Sequence, residues 1–278
     1  MFAVLGALFM GAKKGGGMKA VLRYLGGKNR LAEWIIQHFP AHTCYVEPFC
    51  GSMGVLLNKA PAPVEICNDK DGEIVNLFCV LRSEEAGRLI EAVMLTPYSR
   101  DELNDSIPAG DAVERARRLL VRSWMGIASD SFRSGRSGLL VSRNRVPSPA
   151  SDWDRLPETL RLATQRLKHV HVENRDALDV LQAHDGPETL HYVDQPYLSS
   201  TRTRTGRYSH EYTEDDHRRL LNVLLTLQGK VVLSGYDNEL YNSALQGWYK
   251  DSCKTISNMA NPRVECLWLN YNPQLTLF

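Results

Sequence analysis

The stretch Cys44-Tyr45-Val46-Glu47-Pro48-Phe49-Cys50-Gly51-Ser52-Met53-Gly54 joins an apolar run to a turn that contains two glycines. The run predicts a buried β-strand, and the residues after the turn predict a helix over 53–59. A second strand is expected at 64–67, and a second helix at 71–82. Strand, turn, helix and strand in this order are typical of a parallel α/β sheet, so the stretch assigns the chain to the α/β class.

The same alternation returns in the second half of the chain. Apolar runs predict strands at residues 170–173, 190–194, 231–234 and 264–270. Helical spacing predicts helices over 30–39 and 214–228, the second capped by Thr213. Residues 83–165 differ, because they carry helical periodicity and many arginines. We therefore expect residues 18–82 and 166–278 to form one α/β domain, which a mostly helical insertion at 83–165 interrupts.

The composition is that of an ordinary globular protein. The 278 residues are 43% hydrophobic and 23% charged, and the net charge of +1 gives no sign of a nucleic-acid partner. The six cysteines form no CxxC pair, which favours buried thiols over disulfides or zinc ligands. No apolar stretch is long enough to span a membrane. In residues 1–17 the lysines follow the apolar run, so we expect an upstream-start extension or a disordered tail rather than a secretory signal.

Two polar turns follow the first two predicted strands. Ligands of open α/β sheets bind beyond the carboxyl ends of strands, so such turns are candidates for a site. Gly51 and Gly54 allow the backbone to approach a ligand closely, and the amides of the next helix suit an anionic group. Asp69, after the second strand, suits the two hydroxyls of a ribose. Alone, the first turn is a weak signal that a plain strand-to-helix turn also explains, and the second is better explained as a helix cap. Together they indicate a nucleoside ligand.

A third turn, His191-Tyr192-Val193-Asp194-Gln195-Pro196-Tyr197, ends a later strand. Pro196 restricts Gln195 to extended geometry, which stiffens the turn. The Asp194 carboxylate and a nearby backbone carbonyl can accept the protons of an exocyclic amine, and the Tyr197 ring can stack on a flat base. The alternative is a surface turn with a packed tyrosine. The earlier motif at 24–28 is not a P-loop, since Asn29 replaces its Ser or Thr.

In combination these motifs resemble the Dam-like (D12 class) DNA N6-adenine methyltransferases, especially their phage and prophage members. The resemblance covers nearly all of residues 18–272 in the family's order. It rests on the motifs Tyr-Leu-Gly-Gly-Lys at 24–28, Glu-Pro-Phe-Cys-Gly at 47–51, Asn-Asp-Lys-Asp at 68–71, Asp-Gln-Pro-Tyr at 194–197, Tyr-Ser-His-Glu-Tyr at 208–212 and Leu-Ser-Gly-Tyr at 233–236, and on the strand at 261–271.

The resemblance implies a Rossmann-like class I fold with a sheet that binds S-adenosylmethionine, and a helical target-recognition domain at 83–165. It implies no metal. The residues implied to bind the cofactor are Tyr24, Gly27, Lys28, Glu47, Pro48, Phe49, Gly51, Asp69, Asp176 and Asp194. The implied catalytic turn consists of Asp194, Gln195, Pro196 and Tyr197.

The implied reaction is direct methyl transfer to a flipped-out adenine. Tyr197 would stack on the base, while Asp194 and the Gln195 carbonyl would accept the two N6 hydrogens and aim the nitrogen lone pair at the methyl group. The chain departs from the family at two positions. Gln195 stands where the family usually has proline; its carbonyl is retained, but its backbone is less rigid. Met53 replaces a more usual small residue.

The arginine-rich part of the insertion carries the case for DNA. Eight arginines and two acidic residues between Val113 and Arg145 give a local charge of +6. Arginine suits phosphate and guanine contacts, although a solvated basic face is the alternative. The residues expected to bind DNA are Arg115, Arg118, Arg122, Arg133, Arg136, Arg143, Arg202 and Arg204.

The expected partner is double-stranded DNA, without a membrane, for a monomer or weak dimer in the cytoplasm of a bacterium or a phage-infected cell. Two alternative functions stay open at this point. One is an N-methyltransferase for RNA or protein, and the other is a DNA-binding homologue with weakened catalysis. His169, His171 and His217 are expected to be structural, and Trp248 and Trp268 to lie in the core.

Overall fold

The computed structural model describes residues 17–24, 26–127, 138–142, 144, 146–198, 201, 211–256 and 262–273. Its centre is a seven-stranded sheet with the strand order β3-β2-β1-β4-β5-β7-β6. The strands are β1 (Cys44–Glu47), β2 (Val64–Asn68), β3 (Val170–Glu173), β4 (Thr189–Val193), β5 (Lys230–Tyr236), β6 (Tyr249–Ile256) and β7 (Pro262–Leu269). Strands β1 to β5 run parallel, and β7 lies antiparallel between β5 and β6. The expected α/β class is confirmed.

The helices in the described residues connect the strands and cover the sheet. They are α1 (Ala32–Ile36), α2 (Gly72–Leu81), α3 (Ala86–Leu95), α4 (Arg100–Asn104), α5 (Ala112–Met125), α6 (Pro149–Asp154), α7 (Leu156–Arg166), α8 (Ala177–Ala183), α9 (Glu214–Leu224) and α10 (Glu239–Ala244). Thr213 caps α9 as expected, in a capping box with Asp216.

Alternate residues of the strands supply two separate apolar cores. Tyr192 of β4 and Val232 of β5 belong to one core, whereas Val193 and Leu233, one position further along each strand, belong to the other. This follows from the two-residue period of a strand, which sends successive side chains to opposite faces. Both faces of the sheet are therefore covered here, which explains why every residue of β4 is buried.

The helical segment between β2 and β3 shares the first of these cores. Leu120 of α5 and Leu160 of α7 belong to the same buried cluster as Tyr45 of β1. The end of α7 is also tied to β2, because Arg166 contacts the buried Glu65 carboxylate at 2.5 and 2.8 Å. The insertion thus packs directly on the α/β part. Its role as a target-recognition domain stays a prediction.

Two sequence expectations about the elements need correction. Residues 53–59 form a series of turns, because Met53 has a left-handed φ of 53° that interrupts helical geometry at the first residue. Strand β6 was missed by the sequence analysis, since it is an edge strand that forms no apolar run and whose residues 249–254 alternate between half-buried and exposed positions. The prediction for residues 1–17 lies outside the described residues, apart from Gly17.

Three further features concern the described residues as a set. None of their helices is long and apolar enough to cross a membrane. They hold no cluster of three or more histidine, cysteine or acidic side chains suited to a metal ion. The six cysteines carry free thiols.

Trp268 is buried in the second core and Trp248 packs against it, which confirms the expectation that they are core residues.

Candidate active site

One pocket opens beyond the carboxyl ends of β1, β2, β3 and β4, where the parallel strands deliver their turns to the same edge of the sheet. Its wall combines the glycine loop before α1, the turn after β1, the turn after β2, the start of α8 and the turn after β4. The residues that line it include Tyr24, Gly27, Lys28, Glu47, Pro48, Phe49, Gly51, Asp69, Arg175, Asp176, Leu178, Tyr192, Asp194, Pro196 and Tyr212.

The turn after β1 depends on a glycine at position 51. Gly51 has a φ of 46°, a region that side chains rarely adopt. A Cβ atom at this position would lie 3.2 Å from two ring carbons of Tyr24. The missing side chain therefore lets the Tyr24 ring lie against the turn, so that the loop before α1 closes one side of the pocket.

The turn after β2 is held by its own polar side chains. The Asp69 carboxylate accepts hydrogen bonds from the amides of Gly51 at 2.8 Å and Asp71 at 2.9 Å. Asn68 is almost fully buried and bonds to the Pro48 carbonyl and to both backbone groups of Arg175. These bonds fasten the turns after β1, β2 and β3 to one another. Asp69 is thus fixed in direction while it faces the pocket.

The turn after β4 brings Asp194 against Lys28. The Lys28 Nζ lies 2.8 Å from Asp194 Oδ1 and 3.4 Å from Glu265 Oε1, and all three side chains are largely buried. Burial raises the pKa of Asp194, and the Lys28 ammonium opposes this shift while the Glu265 carboxylate adds to it. A single cation is therefore shared between two buried carboxylates, one of which faces the pocket.

Tyr197 is anchored by the same group of residues. Its hydroxyl donates to Glu265 Oε1 and lies 3.2 Å from both Asp194 Oδ1 and Ser234 Oγ. Its ring lies 4.7 Å from the Tyr236 ring, edge to face, and 4.8 Å from the Lys28 Nζ. Tyr197 is only 6% exposed, and it does not line the pocket. In this conformation its ring offers little surface on which a base can stack.

Glu47 lines the pocket from the end of β1 and is 3% exposed. Its Oε2 accepts hydrogen bonds from the Tyr45 hydroxyl at 2.8 Å and the Leu56 amide at 3.1 Å. Burial raises the pKa of Glu47 to about 8, although these hydrogen bonds act in the opposite direction. The sequence analysis expected helix amides after this turn to face an anionic ligand. The structure has a turn amide instead, that of Leu56, and it donates to the Glu47 carboxyl.

The opposite wall of the pocket is apolar and aromatic. Phe49 and Tyr212 meet edge to face with ring centroids 5.5 Å apart, and Phe49, Tyr212 and Leu178 all pack against the second core. Asp176, which caps α8 through the Leu178 amide, adds an acidic group at the rim. Such a surface is suited to a flat ring with polar edges.

The structure gathers most of the residues that the sequence analysis selected. All ten residues expected to bind the cofactor line this pocket, together with Pro196 of the turn after β4. The side chains of Gln195 and Tyr197 point elsewhere. Glu265 was missed, although a single acid inside the apolar run 264–270 was a usable signal. Arg175 was also missed, although its position two residues after the predicted strand at 170–173 was a usable signal. Tyr212 was quoted only as part of the motif at 208–212 and was given no role, because nothing local in the sequence places it beside the strand ends.

The basic segment needs a correction, because acidic side chains, most of them outside residues 113–145, pair with its arginines. Arg115 pairs with Glu73 at 2.5 Å, and Arg118 pairs with Glu114 at 2.7 Å and with Asp105 at 3.1 Å. Arg122 is 2% exposed and donates to the carbonyl of Ser106. Because its side chain is buried, Arg122 does not contact DNA in this conformation. The local charge of +6 therefore overstates the charge that this helix presents.

The remaining arginines of the expected DNA surface lie outside the described residues. They are Arg133, Arg136, Arg143, Arg202 and Arg204. Their contribution to DNA binding stays a prediction from the sequence.

Comparison with known proteins identifies the family of this chain. Over 255 residues, the chain is 26% identical to a DNA adenine methylase of Serratia marcescens, covering 84% of this chain and 87% of that protein. Over 241 residues, it is 23% identical to the Retron Ec67 DNA adenine methylase of Escherichia coli, covering 81% of this chain and 80% of the relative. The family model described as D12 class N6 adenine-specific DNA methyltransferase matches residues 24–107 and 145–260, which flank the basic segment. The chain therefore belongs to the D12 class of N6 adenine-specific DNA methyltransferases.

Proposed function

We propose that this protein methylates the N6 amino group of adenine in double-stranded DNA and takes the methyl group from S-adenosylmethionine. Bound in the pocket, this donor would supply a methyl group on a positively charged sulfur. The observation that carries the proposal is the placement of Asp194 and Pro196 in the same pocket as Lys28, Glu47 and Asp69. Family membership fixes the reaction class, whereas the choice of donor and the residue roles are our inference.

The chemistry of the pocket fits this donor. The Asp69 carboxylate lines the pocket, is held in direction by the Gly51 and Asp71 amides, and is of the type that accepts hydrogen bonds from ribose hydroxyls. The Phe49 and Tyr212 rings give an apolar wall for an adenine ring, with Asp176 at its polar edge. Asp194 supplies a carboxylate towards the other end, and Glu47 a carboxyl whose ionisation a nearby cation would favour. We place the donor's nucleoside against Asp69, Phe49 and Tyr212. Its charged end then points towards Glu47 and Asp194.

The turn after β4 would hold the target. The Asp194 carboxylate and the Gln195 backbone carbonyl accept the two hydrogens of the flipped-out amine, which directs its lone pair towards the methyl group. Pro196 restrains the backbone that carries this carbonyl. The Tyr197 hydroxyl lies 3.2 Å from Asp194 Oδ1, and stacking of its ring on the base requires more exposure than the 6% described.

For the DNA surface we retain Arg133, Arg136, Arg143, Arg202 and Arg204 and withdraw Arg122. The contribution of Arg115 and Arg118 is expected to be small, because acidic side chains already pair with both. Recognition of duplex DNA by a monomer or weak dimer in the cytoplasm stays part of this proposal.

The test is a transfer assay with three substrates. Labelled S-adenosylmethionine is incubated with unmethylated duplex DNA, RNA or protein extract, and the products are digested and analysed for N6-methyladenine. Label in N6-methyladenine from duplex DNA supports the proposal, whereas label only in RNA or protein contradicts it. Asp194→Ala should abolish transfer and still fold, since Glu265 remains as a partner for Lys28. Asp154→Ala, at an exposed position on α6, is the matched control and should keep full activity.

A further inference from the structure

The side chain of Gln195 adds one hydrogen bond between β4 and β5 just beyond the last paired residues of the two strands. Strands β4 and β5 are paired up to Val193 and Leu233. The next carbonyl of β5, that of Ser234, accepts a hydrogen bond from Gln195 Nε2 at 3.1 Å. Because the acceptor is a backbone carbonyl, the contacting atom of Gln195 must be the amide nitrogen. The side chain thus does what the backbone amide of one more strand residue would do.

A second hydrogen bond links the same nitrogen to two helices. Gln195 Nε2 lies 2.9 Å from the hydroxyl of Tyr241 on α10, and that hydroxyl lies 2.7 Å from Nδ1 of His217 on α9. Gln195, Tyr241 and His217 are each at most 1% exposed. The Tyr241 ring is itself wedged against Trp268 with ring centroids 5.3 Å apart. In this dry environment each bond is directional and costly to break.

We propose that the Gln195 side chain is a positioning device for the catalytic turn, which fixes the Gln195 backbone carbonyl by anchoring residue 195 to Ser234 of β5 and Tyr241 of α10. This inference rests on the proposed function, because the carbonyl matters only if it receives the target amine. A proline at this position would restrict the backbone through its ring but would supply no donor. A glutamine leaves the backbone freer than a proline does. The two hydrogen bonds of its side chain restrain the position of that backbone instead.

The anchor predicts a specific pattern of kinetic effects. Gln195→Ala should lower kcat about tenfold, since small displacements of a reacting group cost at least that much. The KM for S-adenosylmethionine should stay unchanged, because the Gln195 side chain does not line the pocket. Gln195→Glu keeps the shape but places a carboxylate against the Ser234 carbonyl, so its loss should exceed that of alanine. Gln195→Pro should recover much of the kcat that alanine loses.

A double-mutant cycle with Tyr241→Phe is the decisive experiment. Tyr241→Phe should lower kcat in the native background and have little further effect in Gln195→Ala or Gln195→Pro, where the bond is already absent. In denaturant unfolding, the midpoint shifts of Gln195→Ala and Tyr241→Phe should sum to more than that of the double variant. Tyr271→Phe is the matched control, since it removes a hydroxyl bonded to the His38 carbonyl and should leave kcat unchanged in every background.

The outcomes separate this inference from the proposed function. Equal kcat losses from Tyr241→Phe in all three backgrounds, or additive midpoint shifts, would overturn the anchor even if the native protein methylates DNA normally. A raised KM for the donor with an unchanged kcat in Gln195→Ala would also overturn it. A native protein that transfers no methyl group to DNA would contradict the proposed function and the positioning role together, whereas the unfolding cycle would still decide whether the anchor exists.

Discussion

The ammonium of Lys28 lies 2.8 Å from the Asp194 carboxylate and thereby ties the loop before α1 to the turn after β4. Glu265 on β7 competes for the same ammonium at 3.4 Å. With both carboxylates ionised, one positive charge faces two negative charges in a buried site. Burial is the main cause that raises the pKa of Asp194, and the two neighbours shift it in opposite directions.

The pH dependence of methyl transfer should report this arrangement. Asp194 accepts the target amine only when it is ionised, so kcat should fall on acidification at a higher pH than an ordinary aspartate would give. Lys28→Gln removes the charge that favours ionisation and should move the acidic limb to higher pH. Glu265→Gln removes a repulsion and should move it to lower pH.

The measurement is kcat against pH for the native protein and both variants at saturating donor. Lys168→Gln, which removes an exposed lysine after α7, is the control and should leave the profile in place. Shifts of Lys28→Gln and Glu265→Gln in the same direction would contradict the assignment of the acidic limb to Asp194.

A methyl group at position 51 should impair donor binding. Gly51→Ala forces a side chain into a φ of 46° and puts its Cβ 3.2 Å from the Tyr24 ring, so the ring must leave the turn. We expect the KM for S-adenosylmethionine to rise about tenfold and stability to fall by about 1 kcal/mol. Steady-state kinetics and denaturant unfolding measure the two effects.

Gly87→Ala is the matched control for this substitution. Gly87 lies in α3, and a Cβ at that position would meet no heavy atom within 4 Å. Because alanine is a better helix former than glycine, this variant should be as stable as the native protein or more so, with an unchanged KM. A Gly51→Ala variant with the native KM would show that the contact with Tyr24 does not shape the donor site.

The sequence predicted the parallel core and the positions of the turns, because both depend on local patterns. Apolar runs mark buried strands directly, and β3 begins and ends at the residues expected. The helix at 53–59 could not be excluded in this way. Its failure comes from the left-handed φ of Met53, a conformation that residue type does not reveal for a methionine.

Partners distant in sequence account for the other differences. Glu73 neutralises Arg115 from forty-two positions away, so a charge count restricted to 113–145 could not register it. Glu265 reaches Tyr197 from sixty-eight positions away, across the pairing of β5 with β7. The side-chain bonds of Gln195 likewise depend on where β4 stops and α10 begins. Each of these follows from tertiary packing, which periodicity does not encode.

DNA binding should distinguish the paired arginines from the others. Each arginine that contacts a phosphate adds about 0.9 to the slope of log affinity against log salt concentration. Arg133→Ala and Arg136→Ala should therefore each reduce the slope by about that amount. Arg115→Ala should change it much less, since Glu73 holds that guanidinium at 2.5 Å. Titration of duplex DNA at several salt concentrations measures the slopes, and a flat response in the native protein would contradict a basic DNA surface.

The Glu47 carboxyl should make stability depend on pH in an unusual direction. Burial raises its pKa from 4.5 to about 8 in the folded protein. Its contribution to the free energy of unfolding is therefore complete below the unfolded pKa and is lost as the pH rises through about 8. Glu47→Gln keeps an oxygen that can accept from the Tyr45 hydroxyl and the Leu56 amide but carries no proton to lose.

Between pH values of about 5 and 9, the native protein should therefore lose on the order of 2 kcal/mol relative to Glu47→Gln. Denaturant unfolding of both proteins across this range measures the difference, in which all other titrating groups cancel. Glu91→Gln, at an exposed position on α3, should give a difference that does not change with pH. If the difference for Glu47→Gln is equally constant, Glu47 is already ionised at neutral pH, and the carboxyl that meets the donor carries a charge before the donor binds.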